Sequence, residues 1–402
     1  MEDRLLNEIY ELLGNSAAPT LRSLVEQKKT ELGITSDLQL SKVVGIDKST
    51  LERILNGDNK KVDLFSMVKL DEFFGIGIAK LVQIYVSSLK PEFVGELERA
   101  RNASYIIRRF DLPGLKRAQI IPNTTDFVAI ENRLTSFFGL ESILDYDREV
   151  GAVLFSRTNA KSDDKMREFW VRSAHLQFER IDNPNPYDEA ALKSLIPKIR
   201  PFTREEDTGL LKVIRALYRV GVTVIVQSYL SKTQVRGGTF AVKNKPCIVL
   251  TDYNKTYPTL WFALMHELYH VLYDLEAIRQ WKYHLTGDTE PNFLLFNEDD
   301  ADYFGRELLF PKKNLDFIKP LINSPASVAT YAQTNRVHPG IIYAFYCYEE
   351  NRLAKKNLYG VFQHLFGNSD RALAAIRTNP WDKASIFQEV EIIRRKFEVT
   401  PN

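Results

Sequence analysis

The feature that most constrains this chain is the run His266-Glu267-Leu268-Tyr269-His270, which follows an apolar stretch from Thr259 to Met265. The apolar stretch predicts a buried helix, and a helix brings residues four apart onto one face. Two imidazoles on one face can bind a single zinc ion. Glu267 then points toward the open coordination position, where it can take a proton from water, and this spacing is typical of metallopeptidases. The alternative, a buried helix with two incidental histidines, is disfavoured because the chain has only six histidines.

A catalytic zinc site has three protein ligands, so a third ligand is expected elsewhere in the chain. Residues 297–311 predict a helix that ends before Pro311. One stripe of this helix carries Glu298, Ala301, Asp302, Gly305 and Leu308. The two small residues of the stripe allow a close approach to the His266 helix. Glu298 then faces the metal, and Asp302, one turn later, can hydrogen-bond a ligating imidazole. The alternative is an acidic first turn favoured by the helix dipole, with Asp299 and Asp300 in solvent.

These motifs resemble the ImmA/IrrE family of zinc metallopeptidases and the related large HigA-type antitoxins. The resemblance runs from about residue 221 to 348. It rests on three motifs, which are the apolar lead-in to His266, the segment Glu298-x-x-Ala301-Asp302-x-Phe304 followed by Leu308-Leu309-Phe310-Pro311, and His338-Pro339-Gly340-Ile341. The resemblance implies an α+β, zincin-like (gluzincin) domain. It also implies His266, His270 and Glu298 as ligands of Zn²⁺, with Glu267 as the general base.

Two positions depart from the pattern of the family. The family has Gly where Tyr269 stands and Ala where Gly305 stands. Tyr269 either packs against neighbouring residues or narrows the cleft. The glycine costs its helix about 1 kcal/mol. Neither departure removes a metal ligand.

The segment before the zinc helix predicts a small sheet. Residues 222–226 are β-branched and predict a buried strand. Residues 238–242 and 246–250 predict two more strands, joined by the polar loop Lys243-Asn244-Lys245. The edge of such a sheet can receive an extended peptide by strand addition, and the alternative is a purely structural hairpin.

A second motif near the N-terminus predicts a helix-turn-helix. Residues 38–44 and 49–55 predict two short helices joined by the turn Gly45-Ile46-Asp47. Ser49 with Glu52 predicts a capping box that begins the second helix, and Asn56-Gly57 ends it. The motif resembles the Xre (lambda-repressor-like) class of all-α domains, completed by helices at 21–32 and 64–74.

In a helix-turn-helix the second helix reads double-stranded DNA. The residues of this helix predicted to contact DNA are Lys48, Ser49, Thr50, Glu52 and Arg53. Residues 1–90 carry about as many acidic as basic side chains, whereas strong phosphate neutralisation needs a basic surface. The alternative is therefore a protein-interaction or dimerisation role for this domain.

At 402 residues the chain is long enough for several domains, and we expect a multidomain, mainly α fold. The motifs predict a helix-turn-helix domain at 1–90, a mainly helical middle region at 91–200 that serves as sensor or linker, a metallopeptidase domain at 201–350 and a helical extension at 351–402.

Composition excludes several classes of protein. The net charge of +2 gives no general attraction to nucleic acid or membranes, and no apolar run reaches transmembrane length. The polar start Met1-Glu2-Asp3-Arg4 has no secretory signal. Two cysteines, Cys247 and Cys347, are too few for a disulfide framework, so we expect a cytoplasmic protein.

Two hypotheses from different classes follow. The first is a zinc endopeptidase with a DNA-binding domain, which cleaves a repressor or antitoxin in a stress, phage or toxin–antitoxin circuit. The second is a DNA-binding regulator or antitoxin whose peptidase-like domain senses a signal or binds a toxin without proteolysis. A homodimer is compatible with either hypothesis. A complete metal set favours the first, because a domain used only for binding has no need of Glu267.

Overall fold

The computed structural model describes residues 20–59, 61–149, 162–231, 233, 235–252, 256–281, 283–287, 298–376 and 379–398. It divides into two compact units, residues 1–104 and 105–402. Helices predominate in both units, and the described strands form one small mixed sheet in the second. The predicted combination of mainly α structure with some β structure is confirmed.

The first unit consists of helices around an apolar core. They are α1 (Leu21–Leu32), α2 (Asp37–Val44), α3 (Lys48–Leu55), α4 (Leu64–Phe74), α5 (Ile78–Ser87) and the first part of α6 (Pro91–Arg109). Leu40, Leu51 and Ile54 are fully or almost fully buried in this core. The helices predicted at 21–32 and 64–74 are confirmed, and the two short helices each begin one residue earlier than predicted.

The predicted capping box of Ser49 and Glu52 is wrong. Asp47 is the N-cap of α3, and its Oδ1 accepts hydrogen bonds from the Thr50 backbone N–H (2.9 Å) and the Ser49 hydroxyl (2.7 Å). Hydrogen bonds from Thr50 and Ser49 lower the pKa of Asp47 to about 2. A carboxylate accepts both bonds at once, so it caps this helix in place of the serine two residues later.

The second unit contains the remaining helices. They are α7 (Leu112–Arg117), α8 (Phe127–Phe138), α9 (Tyr146–Glu149), α10 (Ser162–Ile181), α11 (Glu189–Leu195), α12 (Gly209–Arg219), α13 (Tyr257–Tyr273), α14 (Leu275–Trp281), α15 (Glu298–Leu309), α16 (Lys312–Ile318), α17 (Pro325–Thr334), α18 (Pro339–Ala354), α19 (Tyr359–Phe362), α20 (Ser369–Ala374) and α21 (Ile386–Glu398). One hydrophobic core draws on residues from Ile106 to Phe397. The predicted boundaries near residues 200 and 350 both fall within this core.

The sheet has the strand order β1-β3-β2-β4, where the strands are β1 (Thr223–Val226), β2 (Val235–Val242), β3 (Lys245–Leu250) and β4 (Tyr283–Gly287). β1 is parallel to β3, and β2 is antiparallel to both β3 and β4. The three predicted strands are confirmed. The turn between β2 and β3 is only two residues long, because Lys243 and Asn244 both adopt positive φ, as a tight hairpin turn requires.

Helix α13 packs against β2 and β3 and also contacts α15 and α18. The predicted close approach of α15 is confirmed at Gly305, where an added Cβ would lie 3.3 Å from the Phe262 ring and 3.5 Å from the His266 backbone nitrogen. None of the helices within the described ranges combines the length and the apolar character that crossing a lipid bilayer requires.

Candidate metal centre

Helix α13 places the H-E-x-x-H residues in the interior of the second unit. Pro258 occupies its first turn, where the missing N–H costs no helical hydrogen bond. The side chains that follow are mostly apolar and buried. His266, Glu267 and His270 are 2 %, 0 % and 0 % exposed, so these three polar groups lie in the interior and need partners there.

The three predicted metal ligands converge on one point. Nε2 of His266 lies 3.1 Å from Nε2 of His270. Oε2 of Glu298 lies 3.2 Å from Nε2 of His266, and its Oε1 lies 3.7 Å from Nε2 of His270. One ligand atom from each residue can be chosen so that all three lie within 4.8 Å of one another.

This donor set fits zinc. Two imidazole nitrogens and a carboxylate are a common ligand set of catalytic zinc, and tetrahedral ligands with bonds of about 2.0–2.1 Å lie about 3.3 Å apart. The separations of 3.1 Å between the two Nε2 atoms and 3.2 Å between Nε2 of His266 and Oε2 of Glu298 are close to that value, and with one ligand atom per residue the third separation stays within 4.8 Å. His266, His270 and Glu298 can therefore hold a zinc ion and leave a fourth position for a substrate or water.

The outer nitrogen of each ligating imidazole is held by a carboxylate. Nδ1 of His266 lies 2.9 Å from Oδ1 of Asp302, as predicted. Nδ1 of His270 lies 2.7 Å from Oδ2 of Asp274, a contact that sequence reasoning missed. Such contacts fix the tautomer, so that Nε2 of each ring presents its lone pair to the metal. Asp299 and Asp300 are exposed, in line with the prediction that they lie in solvent.

His284 on β4 is a further member of the site that the sequence did not indicate. Its Nε2 lies 2.8 Å from Oε1 of Glu298, and its ring centroid lies 4.4 Å from that of His270. The residue is 7 % exposed. Nothing in its local sequence marks it, because only the pairing of β4 with β2 brings it to the metal centre.

Glu267 is oriented by β2. The hydroxyl of Thr239 donates a hydrogen bond of 2.7 Å to Oε2 of Glu267. Oε1 is buried and has no hydrogen-bond partner among the described residues. A Cβ on Gly237 would lie only 2.7 Å from Oε1, so the backbone can approach this carboxylate only because the residue is glycine. One oxygen is thus fixed and the other is available to accept a proton.

The charges of the cluster favour a cation at its centre. Burial by itself lowers the pKa of His266, but hydrogen bonds with Asp302 and Glu298 outweigh it and raise the pKa to about 10. Burial raises the pKa of Glu298, whereas hydrogen bonds with His266 and His284 lower it well below its usual value. Both shifts arise from the same close contacts between imidazoles and carboxylates. A divalent cation bound there would pair with the carboxylates in place of a proton on His266.

A cavity of about 590 Å³ opens at His266 and Glu267. Its lining mixes aromatic and polar side chains, with Phe262 from α13, Phe345 and Tyr348 from α18, and Asp302 and Arg306 from α15. Tyr269 is absent from the described lining. It instead packs against Tyr273 and Phe304, with ring centroids 4.7 and 5.6 Å apart, so it does not narrow this cleft.

The predicted DNA-contacting residues belong to the first unit, whereas the metal centre belongs to the second. Lys48, Ser49 and Arg53 are exposed on α3, and Thr50 and Glu52 are partly exposed. Lys48 forms an ion pair of 3.7 Å with Glu52. The helix therefore presents two cations and a hydroxyl to solvent.

Comparisons of the chain with family models, curated proteins and solved structures find no match. The resemblance to the ImmA/IrrE peptidases therefore rests on the motifs given above and stays a prediction.

Proposed function

We propose that the second unit is a zinc-dependent endopeptidase with a zincin-like fold of the ImmA/IrrE type, and that its substrate is a regulatory protein, either a repressor or an antitoxin. The observation that carries the proposal is the convergence of His266, His270 and Glu298 on one point, with Glu267 lining the same cavity as His266 and its Oε1 buried without a hydrogen-bond partner among the described residues. The identity of the substrate rests on the family resemblance alone.

The residues have distinct tasks in peptide hydrolysis. A zinc ion held by His266, His270 and Glu298 would supply Lewis acidity, which would polarise a carbonyl and make water more acidic. Glu267 accepts a proton from the attacking water at Oε1 and passes it to the leaving amine. Thr239 holds Oε2 throughout, so the carboxylate keeps one orientation during both transfers. Asp302 and Asp274 hold His266 and His270 in the tautomer that binds metal.

The sheet gives an extended substrate a place to bind. β4 is the outermost described strand on the side of the sheet that carries His284. A peptide that pairs with this edge would pass the metal centre, since Thr286 of β4 lines the cavity with His266 and Glu267. Main-chain hydrogen bonds would then position the scissile carbonyl, whatever side chains the substrate carries.

Metal analysis and one variant test the mechanism. The purified protein should hold about one zinc per chain, and Glu267→Gln should keep the metal and abolish cleavage. Glu298→Ala should lose zinc, whereas Asp300→Ala, which changes an exposed carboxylate on the same helix, should keep it. Undiminished cleavage by Glu267→Gln would overturn the mechanism, and zinc loss in Asp300→Ala alone would move the third ligand.

We propose in addition that the first unit is a lambda-repressor-like helix-turn-helix that binds double-stranded DNA through α3. The exposed Lys48, Ser49 and Arg53 support this, because they lie on the helix that enters the major groove in such domains. Replacing Lys48 and Arg53 together by Ala should weaken binding to the upstream region of the gene. Lys80→Ala, an exposed lysine of α5, is the matched control. Equal affinity for this region and random DNA would exclude operator recognition.

A further inference from the structure

The cavity at the metal centre contains an arginine without an acidic partner. Arg306 of α15 lines the cavity, and its guanidinium carbon lies 4.9 Å from the ring centroid of Tyr348 and 6.0 Å from that of Phe345. Its Nε is buried without a hydrogen-bond partner, and its side chain makes no ion pair with any residue in the described ranges. The aromatic faces stabilise its charge but leave its Nε–H without a hydrogen bond among the described residues.

Another arginine of the second unit has the acidic partners that Arg306 lacks among the described residues. Arg172 is 1 % exposed and its guanidinium lies 2.8 Å from Glu168 and 3.1 Å from Asp147. That is the usual arrangement, because a guanidinium removed from water needs a carboxylate or several hydrogen bonds. Arg306 is partly buried, has neither kind of partner among the described residues, and lines an open cavity instead.

We propose that this cavity binds a carboxylate of the substrate through Arg306, so that the peptides cleaved carry an acidic group next to the scissile bond. The aromatic walls take the apolar part of the group, and the planar guanidinium takes its charged end in a two-point contact. Arg236, which lines the same cavity, adds a second positive charge. That the bound carboxylate belongs to a substrate rests on the proposed peptidase activity. The binding of a carboxylate by Arg306 does not depend on that activity.

The carboxylate could belong to an aspartate or glutamate side chain or to the C-terminus of the substrate. Both present the same two oxygens, so the cavity itself does not distinguish them. An acidic side chain would make the enzyme an endopeptidase with an acidic specificity. A terminal carboxylate would limit it to the last residues of its substrate.

The first test needs neither zinc nor catalysis. Binding of 3-phenylpropanoate and of its neutral analogue 3-phenylpropanamide is measured by ligand-observed NMR on the full chain after removal of metal. The carboxylate should bind about 10- to 100-fold more tightly, the range for hydrogen bonds to a charged group. Arg306→Gln should abolish this preference, Arg306→Lys should keep part of it, and Arg352→Gln, an exposed arginine of α18, should leave it unchanged. Equal binding of the two probes, or a preference that survives Arg306→Gln, would overturn the proposal.

The second test separates the two sources of the carboxylate and the two proposals. The zinc-loaded protein is given one peptide series with acidic side chains and amidated ends, and another with neutral side chains and free ends. Arg306→Gln should raise KM for whichever series is cleaved and leave kcat nearly unchanged. Cleavage unaffected by Arg306→Gln would overturn the role of Arg306. If neither series is cleaved while the probe preference persists, carboxylate binding stands and the peptidase proposal fails.

Discussion

His284 gives the sharpest prediction about the metal centre. Its Nε2 lies 2.8 Å from Oε1 of Glu298, which leaves Oε2 for the metal. Replacing it by Ala removes this close polar contact with an ionised group, and contacts of that kind are worth about 1.5–3 kcal/mol. Since 1.4 kcal/mol corresponds to a factor of ten in a dissociation constant, the zinc Kd of His284→Ala should rise by about 10- to 100-fold. The same range is typical when a residue that orients a metal ligand is removed.

The affinity is measured by competition with a chromophoric chelator, for all variants at one pH. His284→Gln is the conservative variant, because its amide can still donate a hydrogen bond to Glu298, and it should recover part of the lost affinity. His364→Ala replaces an exposed histidine outside the described cavity lining and should bind zinc like the unchanged protein. The absorption spectrum of the cobalt-substituted protein should show the same coordination number in these three variants and in the unchanged protein.

Two results would refute this reasoning. An unchanged Kd in His284→Ala would mean that Glu298 keeps its position without the histidine. A loss of binding as complete as in His266→Ala, with a changed cobalt spectrum, would mean that His284 is itself a ligand.

Three further predictions concern other parts of the second unit. Gly237→Ala should leave zinc affinity within about twofold but lower the cleavage rate by about 100-fold, because the new Cβ displaces the Glu267 carboxylate. Equal losses of zinc affinity and cleavage rate would contradict this explanation. Burial raises the pKa of Glu389 to about 7, so this carboxyl stabilises the fold below its usual pKa and the stabilisation is lost as the pH rises through about 7. Glu389→Gln should therefore raise the Tm at about pH 8 and not under acidic conditions, whereas the exposed Glu391→Gln should change neither. Gly305→Ala should change the free energy of unfolding by less than about 1 kcal/mol, because the gain in helix propensity is opposed by the tight contact with the Phe262 ring; calorimetry that shows a larger loss would mean that the ring cannot move.

The sequence predicts most of the metal centre because its residues lie on helices. The spacing of His266 and His270 is a local property of one helix, and Glu298 with Asp302 follows the same rule on another. The same spacing rule also applies to Asp274, since it stands four residues after His270. It was missed because it lies just beyond the end of α13, where the helical pattern stops.

His284 could not be predicted in this way. It lies on a strand of five residues whose place is set by pairing with β2, a contact between segments far apart in the chain. The parallel pairing of β1 with β3 has the same origin. Helices of the first unit, in contrast, were predicted to within one residue, because their boundaries depend on caps and glycines that are close in sequence.

The surroundings of Glu267 bear on the choice between a peptidase and a domain used only for binding. Oε1 of Glu267 is buried without a hydrogen bond from any described residue, which costs stability, and only a glycine at 237 leaves room for it. A glutamine at 267 would keep the bond from Thr239 and remove the buried charge. A binding domain would gain from that exchange, whereas a peptidase would lose its proton acceptor. Glu267→Gln therefore separates the two hypotheses, because it should abolish cleavage yet leave DNA binding and any toxin neutralisation intact.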